Sequence, residues 1–321
     1  MKLNLLSTLV AFVLSFVFCL VLFPVLRRLK AGQNILSYVK EHKKKSGTPT
    51  MGGLAFIAAA VVAAAIFIGC IPTGNLRTPI VCLSVGLAYM VIGLLDDYLK
   101  LHHHQNLGLR AWQKLVFQTS VAIFCGIYCY RIGEINWHIP FINATVCIGW
   151  LTIPFVAVVY LATVNAVNLT DGLDGLAAGT AIPAFACLGG LILLQEGDGS
   201  LSMISFCLMG ALLAYLLFNT PPASIFMGDT GSLALGGFVA SIAAFSGNAL
   251  YLLVVGICFV FSVISVVLQV IYYKVTHGRR IFLMSPIHHH FQQKGYSESK
   301  ISYAYFTITL LMGLLCIYTA I

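Results

Sequence analysis

The sequence predicts an all-α integral membrane protein, and three observations support that prediction. Hydrophobic residues make up 60% of the 321 residues, charged residues only 9%, and the mean hydropathy is +0.95. A soluble globular chain carries roughly 25% charged residues, so this chain cannot cover itself with a water-facing surface. Its longest polar stretch runs only from about residue 274 to residue 300. We therefore expect a single polytopic transmembrane domain over residues 1–321.

About ten apolar runs are long enough to serve as transmembrane helices, because a bilayer core needs about 20 apolar residues per helix. The first run lacks the basic start and the short apolar core of a cleaved signal peptide, so we expect it to be retained. The predicted spans cover residues 4–26, 52–71, 79–95, 115–130, 143–164, 176–194, 201–218, 231–246, 249–272 and 301–320.

The basic residues fall mostly on one side of these spans. Of the 18 Lys and Arg residues, only Lys2, Arg77 and Arg131 lie in segments that the predicted topology places on the opposite side. The positive-inside rule then puts the basic loops in the cytoplasm and both termini outside. Those loops face anionic lipid headgroups, which accounts for the net charge of +8 without a nucleic acid partner.

Five of the six aspartates lie beside predicted spans on the cytoplasmic side: Asp96, Asp97, Asp171, Asp174 and Asp229. A carboxylate at mid-bilayer costs at least ~2.5–3.5 kcal/mol, so such groups are rare and usually functional. A divalent cation together with a phosphate-bearing substrate would neutralise them. The sequence thus indicates a membrane enzyme with its active site at the cytoplasmic face. The alternative for Asp96 and Asp97 is a solvated helix end, although acids there oppose the helix dipole.

Polar residues recur every three positions at Asn165, Asn168, Asp171 and Asp174. On a helix or a 3₁₀ turn this spacing keeps neighbours close together along a slowly drifting face. The glycines that follow both aspartates let the backbone approach a ligand closely. Backbone donors there could hold a phosphate or a pyrimidine edge, and a polar seam between helices is the alternative.

Three further segments carry candidate ligands. The segment before the eighth span contains Asp229, which could also be an ordinary N-cap, and Phe226, which could stack on a base or be an interfacial aromatic. The last cytoplasmic loop holds three consecutive histidines at 288–290, which suit phosphate contact, proton transfer or metal binding. The glycine-rich segment before the second span includes Lys45, a membrane anchor or a phosphate ligand.

Taken together, these segments resemble one family from end to end. The chain is similar to the phospho-N-acetylmuramoyl-pentapeptide-transferases, the MraY-type branch of the polyprenyl-phosphate N-acetylhexosamine-1-phosphate transferase superfamily. The matching motifs are Gly47–Gly53, Leu95–Lys100, Asn168–Ala177, Phe226–Gly237 and Ser285–Phe291, in the order of the family. The last of these motifs resembles the muramoyl-pentapeptide branch more than the branch that uses GlcNAc-1-phosphate.

The resemblance implies a specific reaction and setting. Phospho-MurNAc-pentapeptide would pass from UDP-MurNAc-pentapeptide to undecaprenyl phosphate, giving lipid I and UMP, with Mg²⁺ required. This would be the first membrane step of peptidoglycan synthesis, at the bacterial plasma (inner) membrane. A homodimer would also fit the family. Direct attack by the lipid and a covalent phospho-enzyme both stay open, as does the exact donor peptide.

The resemblance also implies roles for individual residues. Asp229 would be the principal Mg²⁺ ligand, and Asp96 or Asp97 would orient or deprotonate the lipid phosphate. Asp171 would sit beside the attacked phosphorus, and His288 would complete the catalytic group. The expected substrate-binding residues are Lys45, Thr50, Lys100, Lys114, Asn165, Asn168, Leu173, Asp174, Asn219, Phe226, Gly228, His289 and His290, with Leu173 and Phe226 flanking uracil and the lysines on phosphate oxygens.

Two other functions fit parts of the sequence. A sister transferase would take UDP-GlcNAc as its donor instead. A cation-coupled secondary transporter would use intramembrane carboxylates as ion sites, but transporters place such groups near the midplane, often at broken helices. Here the carboxylates lie toward the basic side of the membrane, which favours the transferase.

Overall fold

The computed structural model describes residues 2–28, 47–70, 76–102, 108–142 and 144–321, and these are helical almost throughout. The helices are α1 (Lys2–Arg28), α2 (Gly53–Ile68), α3 (Arg77–His102), α4 (Ala111–Ile132), α5 (Thr152–Thr170), α6 (Leu176–Leu194), α7 (Gly199–Asn219), α8 (Gly228–Phe245), α9 (Leu252–Val255), α10 (Ile257–Val275), α11 (Ile287–Gln293) and α12 (Glu298–Ala320). A short antiparallel hairpin pairs β1 (Asn136–His138) with β2 (Thr145–Cys147).

Nine of the helices within these described ranges are long and apolar enough to cross a membrane, which confirms the predicted all-α, multi-pass fold. The second predicted span corresponds to α2, which is apolar along its length but has only 16 residues. At 1.5 Å per residue α2 is about 24 Å long, shorter than the ~30 Å hydrocarbon core.

Two predicted spans differ from the helices observed. The fifth, predicted at 143–164, begins in the strand β2, and α5 continues to Thr170. Apolar β-branched residues suit a strand as well as a helix, so hydropathy alone does not separate the two. The C-terminal part of α5 tolerates asparagines because Asn165 and Asn168 bond to neighbouring helices rather than facing lipid. The ninth, predicted at 249–272, is divided by Gly256 into α9 and α10.

Helix α8 lies at the centre of the bundle. Of the 18 residues of α8, 89% are buried, against 22% of an 18-residue apolar stretch of α1. A Cβ on Gly236 would come within 2.6 Å of the Cα of Val164 in α5, and one on Gly237 within 2.6 Å of the Tyr89 ring in α3. Small residues thus let α8 pack closely between α3 and α5. This packing brings the first turn of α8 to the C-terminal ends of both neighbours.

Candidate active site

Three carboxylates meet where the start of α8 contacts the end of α3. One oxygen from each of Asp96, Asp97 and Asp229 lies within 4.8 Å of the others. Asp96 and Asp97 are each only 3% exposed. Gly93, one turn before them, packs directly against the backbone of Asp229, so a side chain there would push the two helices apart. The aspartates that the sequence places in separate segments therefore form one cluster.

Asp229 is surrounded by donors from three helices. Lys100 Nζ and Lys114 Nζ lie 2.7 and 3.0 Å from its Oδ2, and Asn168 Nδ2 lies 2.6 Å from its Oδ1. Lys100 Nζ also lies 2.6 Å from Asp96 Oδ2. Three carboxylates thus share two ammonium groups, and the cluster keeps an excess of negative charge. A divalent cation would neutralise that excess.

Asp97 has a different environment from its neighbour Asp96. Its carboxylate accepts hydrogen bonds from the backbone N–H of Asp229 at 3.2 Å and of Thr230 at 2.9 Å, and from Thr230 Oγ1 at 2.7 Å. These are the donors that the first turn of a helix leaves unsatisfied. Asp97 therefore caps α8 from another helix. Asp96 instead accepts from the backbone N–H of Leu109 at 2.7 Å and faces Lys100.

The two asparagines of α5 point toward different neighbours. Asn168 Nδ2 lies 2.8 Å from Ser232 Oγ in α8, in addition to its bond to Asp229. Asn165, one turn earlier, donates to Gln118 Oε1 in α4 at 2.9 Å. Asn168 therefore contacts the carboxylate cluster directly, and Asn165 links α5 to α4 beside it.

Of the four polar residues spaced every three positions, Asp171 and Asp174 lie outside α5, in the turn before α6. Asp174 is buried, and its Oδ2 accepts a hydrogen bond from the backbone N–H of Ala223 at 2.9 Å. Asn219 Oδ1 accepts from the backbone N–H of Gly175 at 3.1 Å, and its Nδ2 donates to the Ile225 carbonyl. These two polar side chains therefore hold the turn before α6 against the loop before α8.

Asp171 follows the last residue of α5, and its carboxylate has no hydrogen-bond partner among the described residues. Burial raises the pKa of Asp171, and the carboxylates of Asp229, Asp97 and Asp174 raise it further. Its neighbour Leu173 is only 4% exposed and packs with Cys258 and Tyr305. Leu173 is thus covered by other side chains in this structure.

The glycine-rich segment before α2 lies beside the loop before α8. The Phe226 N–H donates to the Pro49 carbonyl at 2.8 Å, and the Gly52 N–H donates to the Phe226 carbonyl at 2.8 Å. Thr50 is buried against Gly228, where a Cβ would come within 2.6 Å of Thr50 Oγ1. Gly228 has φ +71°, a conformation that glycine adopts without strain. Both segments therefore reach the carboxylate cluster together.

His288 and His289 face the turn after α5. His288 is fully buried, and neither of its ring nitrogens has a partner within the described chain. A Cβ on Gly172 would lie 2.5 Å from His288 Nε2 and 2.9 Å from His289 Nε2, so the glycine lets both imidazoles approach the turn. His290 points elsewhere, because its Nδ1 accepts from the backbone N–H of Leu283 at 3.1 Å.

Comparison with known proteins identifies the family. A family model described as glycosyl transferase family 4 matches residues 79–247, and one described as phospho-N-acetylmuramoyl-pentapeptide-transferase signature 1 matches residues 45–57. Proteins named phospho-N-acetylmuramoyl-pentapeptide-transferase align along nearly the whole chain. One from Clostridium botulinum (strain Alaska E43 / Type E3) is 44% identical over 95% of this chain and 94% of its own length, and one from Halalkalibacterium halodurans is 40% identical over 98% and 96%. The chain belongs to the phospho-N-acetylmuramoyl-pentapeptide-transferase family.

As a member of the phospho-N-acetylmuramoyl-pentapeptide-transferase family, the protein is an enzyme, a transferase of the peptidoglycan-synthesis class. The larger match contains the whole carboxylate cluster and residues 165–174. The signature match begins at Lys45, which lies outside the described residues, and includes Thr50.

Three residues that contact this transferase site have no role predicted from the sequence. Gln118 is a buried amide within an apolar run, and Ser232 follows Asp229 by one turn. Glu298 Oε2 accepts a hydrogen bond from the backbone N–H of Asp174 at 3.1 Å. Gln118 could have been identified as an amide within a predicted span, because polar groups in a membrane need hydrogen-bond partners. Nothing local pointed to Glu298, whose partner is distant in sequence.

Alanine at Gly172 is expected to lower transferase activity roughly 10–100-fold, because its methyl group would displace both imidazoles from the turn. Gly69→Ala is the matched control, since a Cβ there would meet nothing closer than 3.9 Å. The measurement is the initial rate of each variant beside its apparent Tm. Wild-type activity in Gly172→Ala would show that the two histidines need not approach this turn.

His288 is expected to make the protein acid-sensitive. Burial and the adjacent His289 lower the pKa of His288 to about 3, whereas an unfolded chain takes up the proton near pH 6.5. The unfolded state therefore binds more protons as the pH falls below 6.5, and stability declines by about 2 kcal/mol by pH 5. His288→Gln should show a smaller drop in apparent Tm between pH 7 and pH 5 than wild type. The exposed His277→Gln should behave like wild type, and equal drops in all three proteins would contradict the prediction.

Proposed function

We propose that this enzyme transfers phospho-MurNAc-pentapeptide from UDP-MurNAc-pentapeptide to undecaprenyl phosphate, releasing UMP and forming lipid I. The observation that supports this proposal best is the carboxylate cluster with its two lysines, in a chain of this family. Phosphoryl transfer requires mainly positioning and neutralisation of charge. A cluster that offers both carboxylates for a cation and ammonium groups for phosphate oxygens meets both requirements.

The residues present fit a Mg²⁺ ion. Asp96, Asp97 and Asp229 offer carboxylate oxygens close enough together to contact one ion, and Mg²⁺ prefers oxygen ligands. We assign Asp229 as the principal ligand, because Asp97 is occupied in capping α8, and because Asp229, unlike Asp96, lies where donors from α3, α4 and α5 converge. When bound, Mg²⁺ would neutralise the charge of the diphosphate during transfer.

Asp96 is the better candidate for the lipid phosphate. Removing the carboxylate of Asp97 would cost α8 its cap, whereas Asp96 bonds to a loop N–H and a lysine. We assign Asp96 to orient the acceptor phosphate and take its proton. A phosphate oxygen of the acceptor then forms a bond to the sugar-bearing phosphorus, and the bond from that phosphorus to UMP breaks.

A variant with Asp171→Asn that kept most of its activity would exclude Asp171 as a covalent nucleophile.

The remaining polar residues would bind the donor. Lys100 and Lys114 would exchange their contact with Asp229 for contacts with phosphate oxygens when substrate and metal enter. His289, and His288 once its buried ring becomes exposed, would hold the diphosphate or the sugar from the side of Gly172. The uracil would lie near Phe226, while Leu173 has to become exposed to share that contact. Asn168 bonds to Asp229, so its first role would be to position that carboxylate.

The location of the site follows from the charge pattern. The cluster lies at the end of the bundle that the positive-inside rule assigns to the cytoplasm. A soluble nucleotide donor and a lipid acceptor can meet at that surface of the plasma membrane. A homodimer would be compatible with the exposed apolar helices, which also suit lipid.

Mass spectrometry of the lipid product tests the choice of donor. The purified protein would receive undecaprenyl phosphate, Mg²⁺ and an equimolar mixture of UDP-MurNAc-pentapeptide and UDP-GlcNAc. We expect a product with the mass of undecaprenyl-pyrophosphoryl-MurNAc-pentapeptide. A GlcNAc product would instead place the enzyme in the sister branch.

A further inference from the structure

A polar cavity lies at the end of the bundle opposite the carboxylate cluster. It encloses about 320 Å³ between the ends of α4, α6 and α8 and the starts of α3 and α7. Its polar lining consists of Thr78, Glu134, His138, Gln195, Asp198 and Ser246. Its volume is at the lower limit of small-molecule sites, and neither the proposed transfer reaction nor its substrates use this end of the chain.

One of the two acidic side chains of this cavity is Glu134. It is half-buried, and its carboxylate has no hydrogen bond or ion pair with the residues that the structure describes. A Cβ on Gly247 would lie 2.9 Å from Glu134 Oε1 and 3.3 Å from the His138 ring. This glycine, at φ +71°, therefore lets the two side chains converge on one wall.

The charge of the cavity favours a cation. Burial lowers the pKa of His138, so its ring adds no positive charge at neutral pH. Asp198 uses Oδ1 to cap α7 by accepting from the Ser200 N–H at 2.8 Å, and Gln195 Oε1 already accepts from Asn248. Two carboxylates and several neutral oxygens thus line a space to which no described lysine or arginine contributes.

A bare metal ion does not fit this arrangement. Among the described residues, only the aspartates of the active site place three potential ligands close enough to share one ion. Glu134, His138 and Asp198 are more widely spaced than that. A cation that bridges them has to be larger than a bare ion and carry donors of its own, and a primary ammonium group on a short chain has both properties.

We propose that this cavity binds an organic ammonium ion, with Glu134 as its counter-ion and Asp198 and the neutral oxygens accepting its N–H donors. The site is independent of the proposed transfer reaction. The charge pattern predicts that this end of the protein faces outside the cell. The ligand could therefore come from solution, as a diamine, or from an amine-bearing lipid headgroup.

Isothermal titration calorimetry with putrescine tests the proposal, using detergent-purified protein saturated with Mg²⁺ so that the active site is occupied. Burial raises the pKa of Glu134 to about 7, so the carboxylate is mostly ionised at pH 8 and mostly protonated at pH 6. We expect affinity to fall roughly ten-fold between these pH values, with protons released on binding near pH 7. Titrations in two buffers of different ionisation enthalpy measure that release.

Two variants that each remove one negative charge distinguish binding in the cavity from binding to the nearby surface. Glu134→Gln should abolish putrescine binding and keep wild-type UMP release, which shows that the variant is folded. Glu196→Gln should bind normally, because Glu196 is exposed nearby but does not line the cavity. Unchanged binding in Glu134→Gln, an equal loss in Glu196→Gln, or no detectable heat with wild type would each overturn the proposal.

The source of the ligand is tested in nanodiscs. Putrescine would be titrated into protein in discs of phosphatidylglycerol and phosphatidylcholine, and in discs with the same share of phosphatidylglycerol in which phosphatidylethanolamine replaces the phosphatidylcholine. Weaker binding in the second discs would show that the lipid amine occupies the cavity. Equal affinities would identify a soluble amine as the ligand.

Discussion

Asparagine in place of Asp229 is expected to lower the rate of UMP release by roughly three orders of magnitude. The substitution keeps the size of the side chain and leaves an oxygen that can still accept from Asn168. It removes the negative charge that holds Lys100 and Lys114 and that would bind Mg²⁺. The loss should therefore fall on the chemical step and on activation by the metal rather than on folding.

The decisive measurement for Asp229→Asn is the rate of UMP release over a range of Mg²⁺ concentrations, with apparent Tm recorded in parallel. Glu196→Gln removes one carboxylate from the opposite end of the bundle and should match wild type. If Asp229→Asn showed the wild-type concentration for half-maximal activation by Mg²⁺, Asp229 would not be the principal metal ligand.

Asp96 and Asp97 are adjacent in sequence, yet their asparagine variants should fail for different reasons. Asp97→Asn weakens the cap of α8, which should cost about 1–2 kcal/mol of stability and lower the apparent Tm by several degrees. Asp96→Asn removes no helix cap. Its apparent Tm should stay close to that of wild type, while UMP release falls roughly 10²–10⁴-fold, the usual contribution of a positioned base.

These two variants control for each other, because each replaces one carboxylate of the cluster with the same amide. The informative readout is the ratio of lost activity to lost stability. A wild-type Tm and complete inactivity in Asp97→Asn, together with near-wild-type activity in Asp96→Asn, would reverse the assignment of the proton-accepting residue.

The spans were predictable because lipid imposes a simple rule on a sequence. A helix that crosses a membrane must be apolar over about 20 residues, and the compositional signal is therefore local. The hairpin of β1 and β2 was not predicted, since its strand 145–147 lies within an apolar run and pairs only after the chain reverses direction. The extension of α5 to Thr170 also depended on contacts that lie outside the segment.

The members of the site were easier to predict than their partners. Carboxylates beside membrane spans are conspicuous in a chain with so few charges, and the structure brings Asp96, Asp97 and Asp229 together. The different roles of Asp96 and Asp97 depend on contacts with α8, which lies more than 130 residues further along the chain. The even spacing from Asn165 to Asp174 indicated one polar face, but α5 ends at Thr170, and Asp174 turns toward Ala223.

The measurement that tests the central claim most directly is UMP release by the purified protein with UDP-MurNAc-pentapeptide, undecaprenyl phosphate and Mg²⁺, omitting each component in turn. We expect UMP only when all three are present, because the donor, the acceptor and the metal meet at one carboxylate cluster. UMP formed without undecaprenyl phosphate would indicate hydrolysis of the donor instead of transfer. UMP release that persists after removal of Mg²⁺ by a chelator would contradict the role assigned to the three aspartates.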